Sequence, residues 1–195
     1  MRILIVGATG TIGKAVVAAL EGEHNIVAVT RHTTPSVDIA DPASIERMYA
    51  EVGEVDAVIS VTGTGAFKPL DQLTDADFAF SLQNKLMGQV NLVRRGFASV
   101  RDGGSIIVTS GVLSKTPMNG SGAISLVNAG LEGFARAAAL EAPRGIRVNA
   151  VSPPWVTETL IAYGMDPSIG MPAETVARAY VRAVTGSETG QVIEP

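Results

Sequence analysis

The sequence has no cysteine, only two histidines, and charged side chains at just 17% of its 195 positions. The lack of cysteine excludes disulfides and thiol chemistry and is compatible with the reducing cytoplasm, where we expect the protein to act. His24 and His32 are not spaced as metal ligands, so we expect no metal site. The net charge of −4, without any basic block, argues against a nucleic-acid partner. No apolar run approaches the ~18 residues of a membrane span, and no secretory signal precedes the first predicted strand, so we expect no membrane association.

Glycine and apolar residues are plentiful instead, and both are concentrated at the start of the chain. Ile3–Val6 is an uninterrupted apolar run, typical of a strand covered on both faces in a parallel sheet. It leads into three glycines spaced G-x-x-G-x-x-G, after which Lys14–Leu20 is predicted to be helical. Such a turn binds a dinucleotide diphosphate, because the backbone can approach the phosphates and the helix N-terminus offers free N–H groups. The residues of this turn expected to bind a nucleotide cofactor are Gly7, Thr9, Gly10, Thr11, Ile12 and Gly13.

The next predicted strand, Asn25–Thr30, brings Arg31 and His32 to its C-terminal end. In a dinucleotide-binding fold this end faces the adenosine ribose. An acidic residue there binds the 2′-hydroxyl of NAD, whereas an arginine suits the 2′-phosphate of NADP. Because the acid is missing and Arg31 is present, the sequence favours NADP(H). A solvated arginine that follows an ordinary strand is the alternative.

Strands and helices alternate along the rest of the chain. Further strands are predicted at 37–39, 55–60, 105–109, 146–151 and 190–193, and helices after Asp41-Pro42 and at 74–99, 122–141 and 172–184. This pattern predicts one α/β domain over residues 1–195, a Rossmann-like doubly wound fold whose mostly parallel seven-stranded sheet has helices on both faces. We expect Asp38 and Ile39 to contact adenine, although Asp38 could instead be a cap or turn residue. A second glycine turn places Thr62 and Gly63 at the same sheet edge.

The helix predicted at 122–141 is apolar in nearly every direction, since its only charged residues are Glu132, Arg136 and Glu141. A helix of this kind has to be covered on all sides. One face can lie on the sheet, and the other would meet a partner chain. We therefore expect a homodimer or homotetramer that associates through the helices at 74–99 and 122–141.

Taken in order, these landmarks resemble the short-chain dehydrogenase/reductase family over essentially the whole chain. The turn at Gly7–Gly13 resembles the cofactor loop of the extended and atypical members, and Val55–Gly63 is similar to the strand end that carries Asn-Asn-Ala-Gly. Arg147–Pro153 is similar to the run before the nicotinamide-contacting loop. The resemblance implies a catalytic serine at Ser110 and the helix-borne catalytic asparagine at Asn84. It also implies cofactor contacts at Asn128, Pro153 and Val156.

One departure from the family pattern affects the chemistry. The family's Tyr-x-x-x-Lys precedes a run that is present here as Leu131–Phe134, and counting back puts Ile124 at the tyrosine and Asn128 at the lysine. In the mechanism that the resemblance implies, the tyrosine donates a proton to the substrate carbonyl oxygen as hydride arrives. The lysine lowers the pKa of that tyrosine and holds the nicotinamide ribose. Isoleucine can do no acid–base work, whereas an asparagine can still hydrogen-bond a ribose hydroxyl.

Ser110 would hydrogen-bond the substrate oxygen, or it could be an ordinary strand-end or cap hydroxyl. Other side chains could take over the proton role. Lys85 adjoins Asn84, but neighbours on a helix point ~100° apart, so both cannot face one pocket and a solvated lysine is expected. Lys115 lies in the loop beyond Ser110, where a flexible loop lysine is the commoner outcome. Tyr163 belongs to a short substrate lid at about 158–171, on which it could simply pack. Trp155 would line the pocket or fill the edge of the core.

Two functions are compatible with this sequence. The first is an NADP(H)-dependent oxidoreductase that acts on a small carbonyl or alcohol substrate with a non-standard proton donor. The alternative is a catalytically impaired nucleotide-binding sensor or partner-binding protein on the same fold. Ser110 and Asn84 favour the enzyme, and Ile124 and Asn128 argue against it. We predict the oxidoreductase.

Overall fold

The computed structural model describes residues 1–195 and contains a six-stranded sheet in the order β2-β1-β3-β4-β5-β6. The strands are β1 Arg2–Val6, β2 Asn25–Val29, β3 Val55–Ser60, β4 Val100–Thr109, β5 Arg147–Val151 and β6 Val192–Ile193. Every neighbouring pair runs parallel. The chain winds outward from β1 in both directions, so that β2 and β3 flank it and leave a crevice beyond their C-terminal ends. The predicted doubly wound α/β class is confirmed.

Helices cover both faces of this sheet. They are α1 Thr11–Leu20, α2 Pro42–Val52, α3 Asp75–Ser81, α4 Gly88–Gly96, α5 Gly122–Glu141, α6 Thr157–Ala162 and α7 Ala173–Thr185. Along β1, Leu4 packs on one face with α2, α4 and α5, whereas Ile3 and Ile5 pack on the other face with α1 and α7. All three side chains are fully buried, because successive strand residues point to opposite faces and both faces are covered. None of the helices combines the length and the apolar character that crossing a bilayer requires.

The strand predicted at 37–39 is wrong, and the sheet has six strands instead of seven. Only a single bridge between Thr30 and Ser36 extends β2 in this region. The backbone N–H of Asp38 donates to the Ser44 hydroxyl at 3.0 Å and not to a neighbouring strand. Val37 and Ile39 are nevertheless buried in the core, which accounts for their strand-like apolar pattern.

The helix predicted at 74–99 begins where expected and is then interrupted. Thr74 caps α3 by accepting from the Asp77 N–H, and the Asp77 carboxylate accepts from the Thr74 N–H in return. Between α3 and α4, residues Leu82–Met87 form a π-helix. A π-helical turn inserts an extra residue and changes which side chains face inward, and such turns are frequent at functional sites.

The buried side of α5 lies against the sheet and its other side is open. Leu126 and Leu140 are 50% and 88% exposed, whereas Glu132 is only 5% exposed. The outer face of α5 is therefore uncovered in the single chain, and assembly through it stays a prediction.

Candidate active site

Two adjoining cavities lie at the C-terminal edge of the sheet. The first, of about 360 Å³, is bounded by the ends of β1, β2 and β3, and the second, of about 450 Å³, lies between β4, α5 and α6. Gly63 and Thr64 line both cavities. An elongated ligand could therefore extend from one cavity into the other.

The glycine turn after β1 forms one wall of the first cavity. Gly7 has φ +91°, and a Cβ there would lie 2.7 Å from the Val61 carbonyl oxygen. A Cβ at Gly13 would lie 2.1 Å from the Gly7 carbonyl oxygen, so α1 packs directly against the turn. Gly10 is the N-cap of α1 and offers no side-chain hydrogen bond, which leaves N–H groups of the first turn for an anion. These residues fit a dinucleotide diphosphate.

The opposite end of the first cavity is formed by the residues that follow β2. Arg31 and His32 are exposed and line it, together with Thr30. Asp38 is the only acidic side chain among the lining residues, and its carboxylate accepts from the Ala40 N–H at 3.0 Å. This end therefore combines an available guanidinium with a cavity wall that has little negative charge.

The structure brings most of the predicted cofactor residues to these cavities. The first is lined by Gly7, Thr9, Gly10, Arg31, His32, Asp38, Ile39, Thr62 and Gly63, and the second by Ile12, Gly63, Asn128, Pro153 and Val156. Thr11 and Gly13 line neither cavity. Gly13 is buried behind the turn, where its lack of a side chain lets α1 pack against the Gly7 carbonyl group.

The two predicted catalytic residues are separated. Ser110 lines the second cavity, whereas Asn84 lines the first. The side chain that joins Ser110 is Lys85, the neighbour of Asn84. Asn84 and Lys85 thus point to different cavities, as expected for adjacent helical residues.

Lys85 is buried, so the expectation of a solvated lysine is wrong. The side chain is 9% exposed, and its ammonium donates to the Ser110 carbonyl oxygen at 3.0 Å. Burial lowers the pKa of Lys85 to about 8, from an ordinary value of 10.5. Ser81, Gln89 and Val93 share the four-residue spacing of Lys85 and are also buried, but this row is mostly polar and gave no apolar pattern by which the sequence could have indicated the burial.

The Ser110 hydroxyl is held by a carboxylate. It donates to Glu132 Oε1 at 3.0 Å, and the Ser114 hydroxyl donates to the same oxygen at 2.6 Å. Because a hydroxyl has a single proton, Ser110 can accept a hydrogen bond from a ligand while its own proton is engaged. Sequence reasoning did not single out Glu132 for the site, since 22 residues separate it from Ser110.

Asn128 lies on α5 one turn beyond Ile124, and both side chains line the second cavity. The Asn128 side chain is 2% exposed, and its Nδ2 donates to the Gly111 carbonyl oxygen at 3.3 Å. Its Oδ1 is buried without a hydrogen-bond partner. A buried acceptor of this kind carries an energetic cost until a donor reaches it, and a ribose hydroxyl is a donor that fits.

The remaining candidates have different surroundings. Lys115 is exposed and forms an ion pair with Glu194 outside both cavities. Tyr163 lines the outer edge of the second cavity but is 71% exposed. Trp155 forms a wall of this cavity with Phe67, the two rings meeting edge to face at 6.3 Å and 77°.

A family model described as enoyl-(acyl carrier protein) reductase matches residues 7–193 of the chain. Among curated relatives, the hydroxynaphthalene reductase-like protein Arp2 of Metarhizium brunneum (strain ARSEF 3297) is 31% identical over 132 residues, which are 64% of this chain and 49% of that protein. The 2,3-dihydro-2,3-dihydroxybenzoate dehydrogenase of Escherichia coli (strain K12) is 27% identical over 167 residues, and the match covers 74% of this chain and 67% of that protein. The chain spans about half the length of most of the curated relatives it matches.

Solved structures match over nearly their full length. The protein lin1944 from Listeria innocua has a TM-score of 0.95 and 38% identity, over 100% of this chain and 98% of that one. A small-chain dehydrogenase in complex with NADPH has a TM-score of 0.90 and 25% identity, over 100% and 96% of the two chains.

Proposed function

The chain belongs to the short-chain dehydrogenase/reductase family, and we propose that it is an NADP(H)-dependent oxidoreductase. Its substrate would be a small carbonyl or alcohol compound, and its proton donor would not be a tyrosine. The observation that carries this proposal is the pair of adjoining cavities. One ends in the glycine turn of α1 and the other contains Lys85 and Ser110.

The side chains of both cavities fit a nicotinamide dinucleotide. The uncapped N-terminus of α1 would bind its diphosphate, and the Arg31 guanidinium its 2′-phosphate. Asn128 Oδ1 would accept a hydrogen bond from the nicotinamide ribose, while Pro153 and Val156 would enclose the nicotinamide ring. When bound, NADPH would supply the hydride that reduces a carbonyl carbon. The NADPH in a neighbour at 25% identity supports this choice of cofactor.

The second cavity would bind the substrate. Its apolar wall, formed by Phe67 and Trp155, suits a flat or compact organic molecule. We propose that residues 158–171 act as a short lid, since Thr159, Tyr163 and Met165 of this segment line the cavity. Two relatives are named for hydroxynaphthalene and for a dihydro-dihydroxybenzoate, so cyclic ketones and alcohols belong in the first substrate panel.

The exposed apolar side of α5 supports a proposed homodimer or homotetramer. Light scattering on the purified protein would measure the assembly, and Leu126→Asp is expected to shift it towards the monomer. Leu70→Asp is the control, because Leu70 is 72% exposed against 50% for Leu126 and lies outside these helices. A monomeric wild-type protein would contradict this part of the proposal.

A second candidate function is a nucleotide-binding protein without turnover. The apolar side chain of Ile124 in the second cavity favours it, because a proton-donating tyrosine would stand there in the family pattern. The two candidates share the cofactor site and differ only in the chemistry of the second cavity.

The first experiment is a titration of the protein with NADPH and NADH, followed by nicotinamide fluorescence. We expect NADPH to bind more tightly. Arg31→Ala should weaken NADPH binding roughly 10- to 150-fold, the equivalent of one charge-assisted hydrogen bond of about 1.5–3 kcal/mol. Arg178→Ala, a change to an exposed arginine of α7, is the control and should leave binding unchanged. Failure to bind either nucleotide would overturn both candidate functions.

A second experiment separates the two candidates. NADPH oxidation is measured with a panel of ketones, aldehydes and cyclic hydroxy compounds. Turnover by the wild-type protein supports the oxidoreductase, and binding without turnover supports the second candidate. The double variant Ile124→Tyr with Asn128→Lys restores the family pattern. A gain of activity in this variant would show that the remainder of the site is competent.

A further inference from the structure

The second cavity offers few groups that could give a proton to a substrate oxygen. The proton of Ser110 is engaged by Glu132, and the amide of Asn128 does not titrate. Tyr163 is largely exposed at the cavity edge. Lys85 has three N–H bonds, of which one is directed to the Ser110 carbonyl oxygen. We propose that Lys85 donates the proton to the carbonyl oxygen of the substrate, an inference that rests on the proposed function.

The charge distribution around Lys85 is suited to this role. It is the only charged side chain that lines the second cavity, and no carboxylate lies within ion-pair distance of its ammonium. A buried ammonium without a counter-charge attracts the negative charge that develops on a carbonyl oxygen during reduction. The ammonium would therefore stabilise the negatively charged oxygen before the proton is transferred.

The ionisable groups on the elements next to the π-helix have partners other than Lys85. From α5, Glu132 accepts from Ser110 and Ser114. From α3, Asp77 pairs with Lys68. From α4, Arg94 and Arg95 bind Asn91, and Arg95 also pairs with Glu46. Burial is accordingly the cause of the lowered pKa of Lys85, which at about 8 keeps both protonation states accessible near neutral pH.

The proton transfer balances within the proposed reaction. As the carbonyl carbon gains hydride, the π electron pair of the C=O bond moves to the oxygen. This oxygen then forms an O–H bond with a proton of the Lys85 ammonium, whose N–H bond breaks and leaves a neutral amine. The amine regains a proton from water. In alcohol oxidation the neutral amine accepts the proton instead, and a pKa near the working pH serves both directions.

Two features of the fold hold Lys85 in place. The π-helix Leu82–Met87 contains it, and the turn after β3 lies against its aliphatic stem. A Cβ at Gly63 would lie 3.0 Å from Lys85 Cα and 3.1 Å from Cγ, and Gly63 has φ +105°. Only glycine allows this approach without strain. Gly63 is thus a positioning residue for the lysine.

The test uses Lys85→Met and Lys85→Gln, with Lys115→Met as the matched control on an exposed lysine outside the cavities. Single-turnover carbonyl reduction is measured from pH 6 to pH 10, and NADPH binding is measured in parallel. For the wild-type protein we expect the rate to fall as pH rises through about 8, because the ammonium is the reactive form. In both Lys85 variants this fall in rate above about pH 8 should be absent, and the rate should be lower than that of wild type by a factor of about 10²–10⁴. Their affinity for NADPH should stay within threefold of wild type. Lys115→Met should behave as wild type.

A second readout does not depend on turnover. The Lys85 side-chain signal, assigned by its absence from Lys85→Met, is titrated by nuclear magnetic resonance in the protein without nucleotide. Titration about two pH units below the other lysines supports the inference, and titration together with them overturns it. Full turnover by both Lys85 variants would overturn this inference alone. Absence of turnover in a wild-type protein that binds NADPH would overturn it together with the proposed oxidoreductase.

Discussion

Replacement of Lys85 by methionine should stabilise the protein against unfolding in a pH-dependent way. The change removes a buried ammonium and keeps the length of the side chain. It also removes the hydrogen bond to the Ser110 carbonyl oxygen, which both the ammonium and the neutral amine of wild-type Lys85 can donate. The difference in unfolding free energy between wild type and variant, followed against pH, therefore isolates the charge.

The magnitude follows from the pKa of Lys85. Burial lowers it from 10.5 to about 8 in the folded protein, and one unit corresponds to about 1.4 kcal/mol. Between these values the unfolded chain binds a proton that the folded protein does not, so wild-type stability rises with pH. The charged lysine costs the folded state about 3 kcal/mol at pH 7 and about 1.4 kcal/mol at pH 9.5. Wild type should thus gain about 2 kcal/mol relative to Lys85→Met over this interval.

Urea unfolding at pH 7 and pH 9.5, monitored by circular dichroism, measures the effect for wild type, Lys85→Met and Lys115→Met. In thermal scans the same change corresponds to a relative shift of roughly 4–8 °C for a domain of this size. Lys115 is exposed and paired with Glu194, and Lys115→Met keeps Lys85, so the difference in stability between wild type and Lys115→Met should be the same at both pH values. A constant difference between wild type and Lys85→Met across this range would refute the assignment of a desolvated lysine to the second cavity.

Three other substitutions test the fold and the nucleotide site. Gly13→Ala should abolish NADPH binding in the fluorescence titration, since a Cβ there would lie 2.1 Å from the Gly7 carbonyl oxygen. Gly22→Ala is the control, because a Cβ at Gly22 meets open space and the variant should bind NADPH normally. Equal affinities of the two variants would contradict the importance of the close packing of α1 on the glycine turn. Gln89→Ala should lower the free energy of unfolding in urea by about 2–4 kcal/mol. The Gln89 side-chain amide accepts from the Thr109 N–H at 2.8 Å and donates to the Thr109 carbonyl oxygen at 2.9 Å. A loss well below ~1 kcal/mol would show that these two hydrogen bonds contribute little. Asp41→Ala removes the N-cap of α2 and should cost about 1 kcal/mol by thermal unfolding, and an unchanged melting temperature would argue against the cap.

Local patterns were sufficient to predict most of the fold. The apolar run of β1, the capping residues Asp41 and Thr74, and the span Gly122–Glu141 were all correct. Each depends on interactions within a few residues, or on the burial of a whole element, which periodicity records. The strand predicted at 37–39 was wrong because its apolar residues enter the core from a loop, whose backbone bonds to the Ser44 side chain.

The sequence by itself determined the parallel sheet and the glycine turn, because strand hydrophobicity and glycine spacing report directly on burial and backbone approach. Only the tertiary structure decided which side chains meet in the second cavity. Ser110 and Glu132 come together across 22 residues of chain, and Lys85 reaches the Ser110 carbonyl across 25. The orientation of the Lys85 side chain depends on a π-helical turn and on the missing side chain of Gly63, which lets the lysine pack against the turn after β3. Such contacts arise from the packing of β3, β4 and α5 around one sheet edge, which no local pattern encodes.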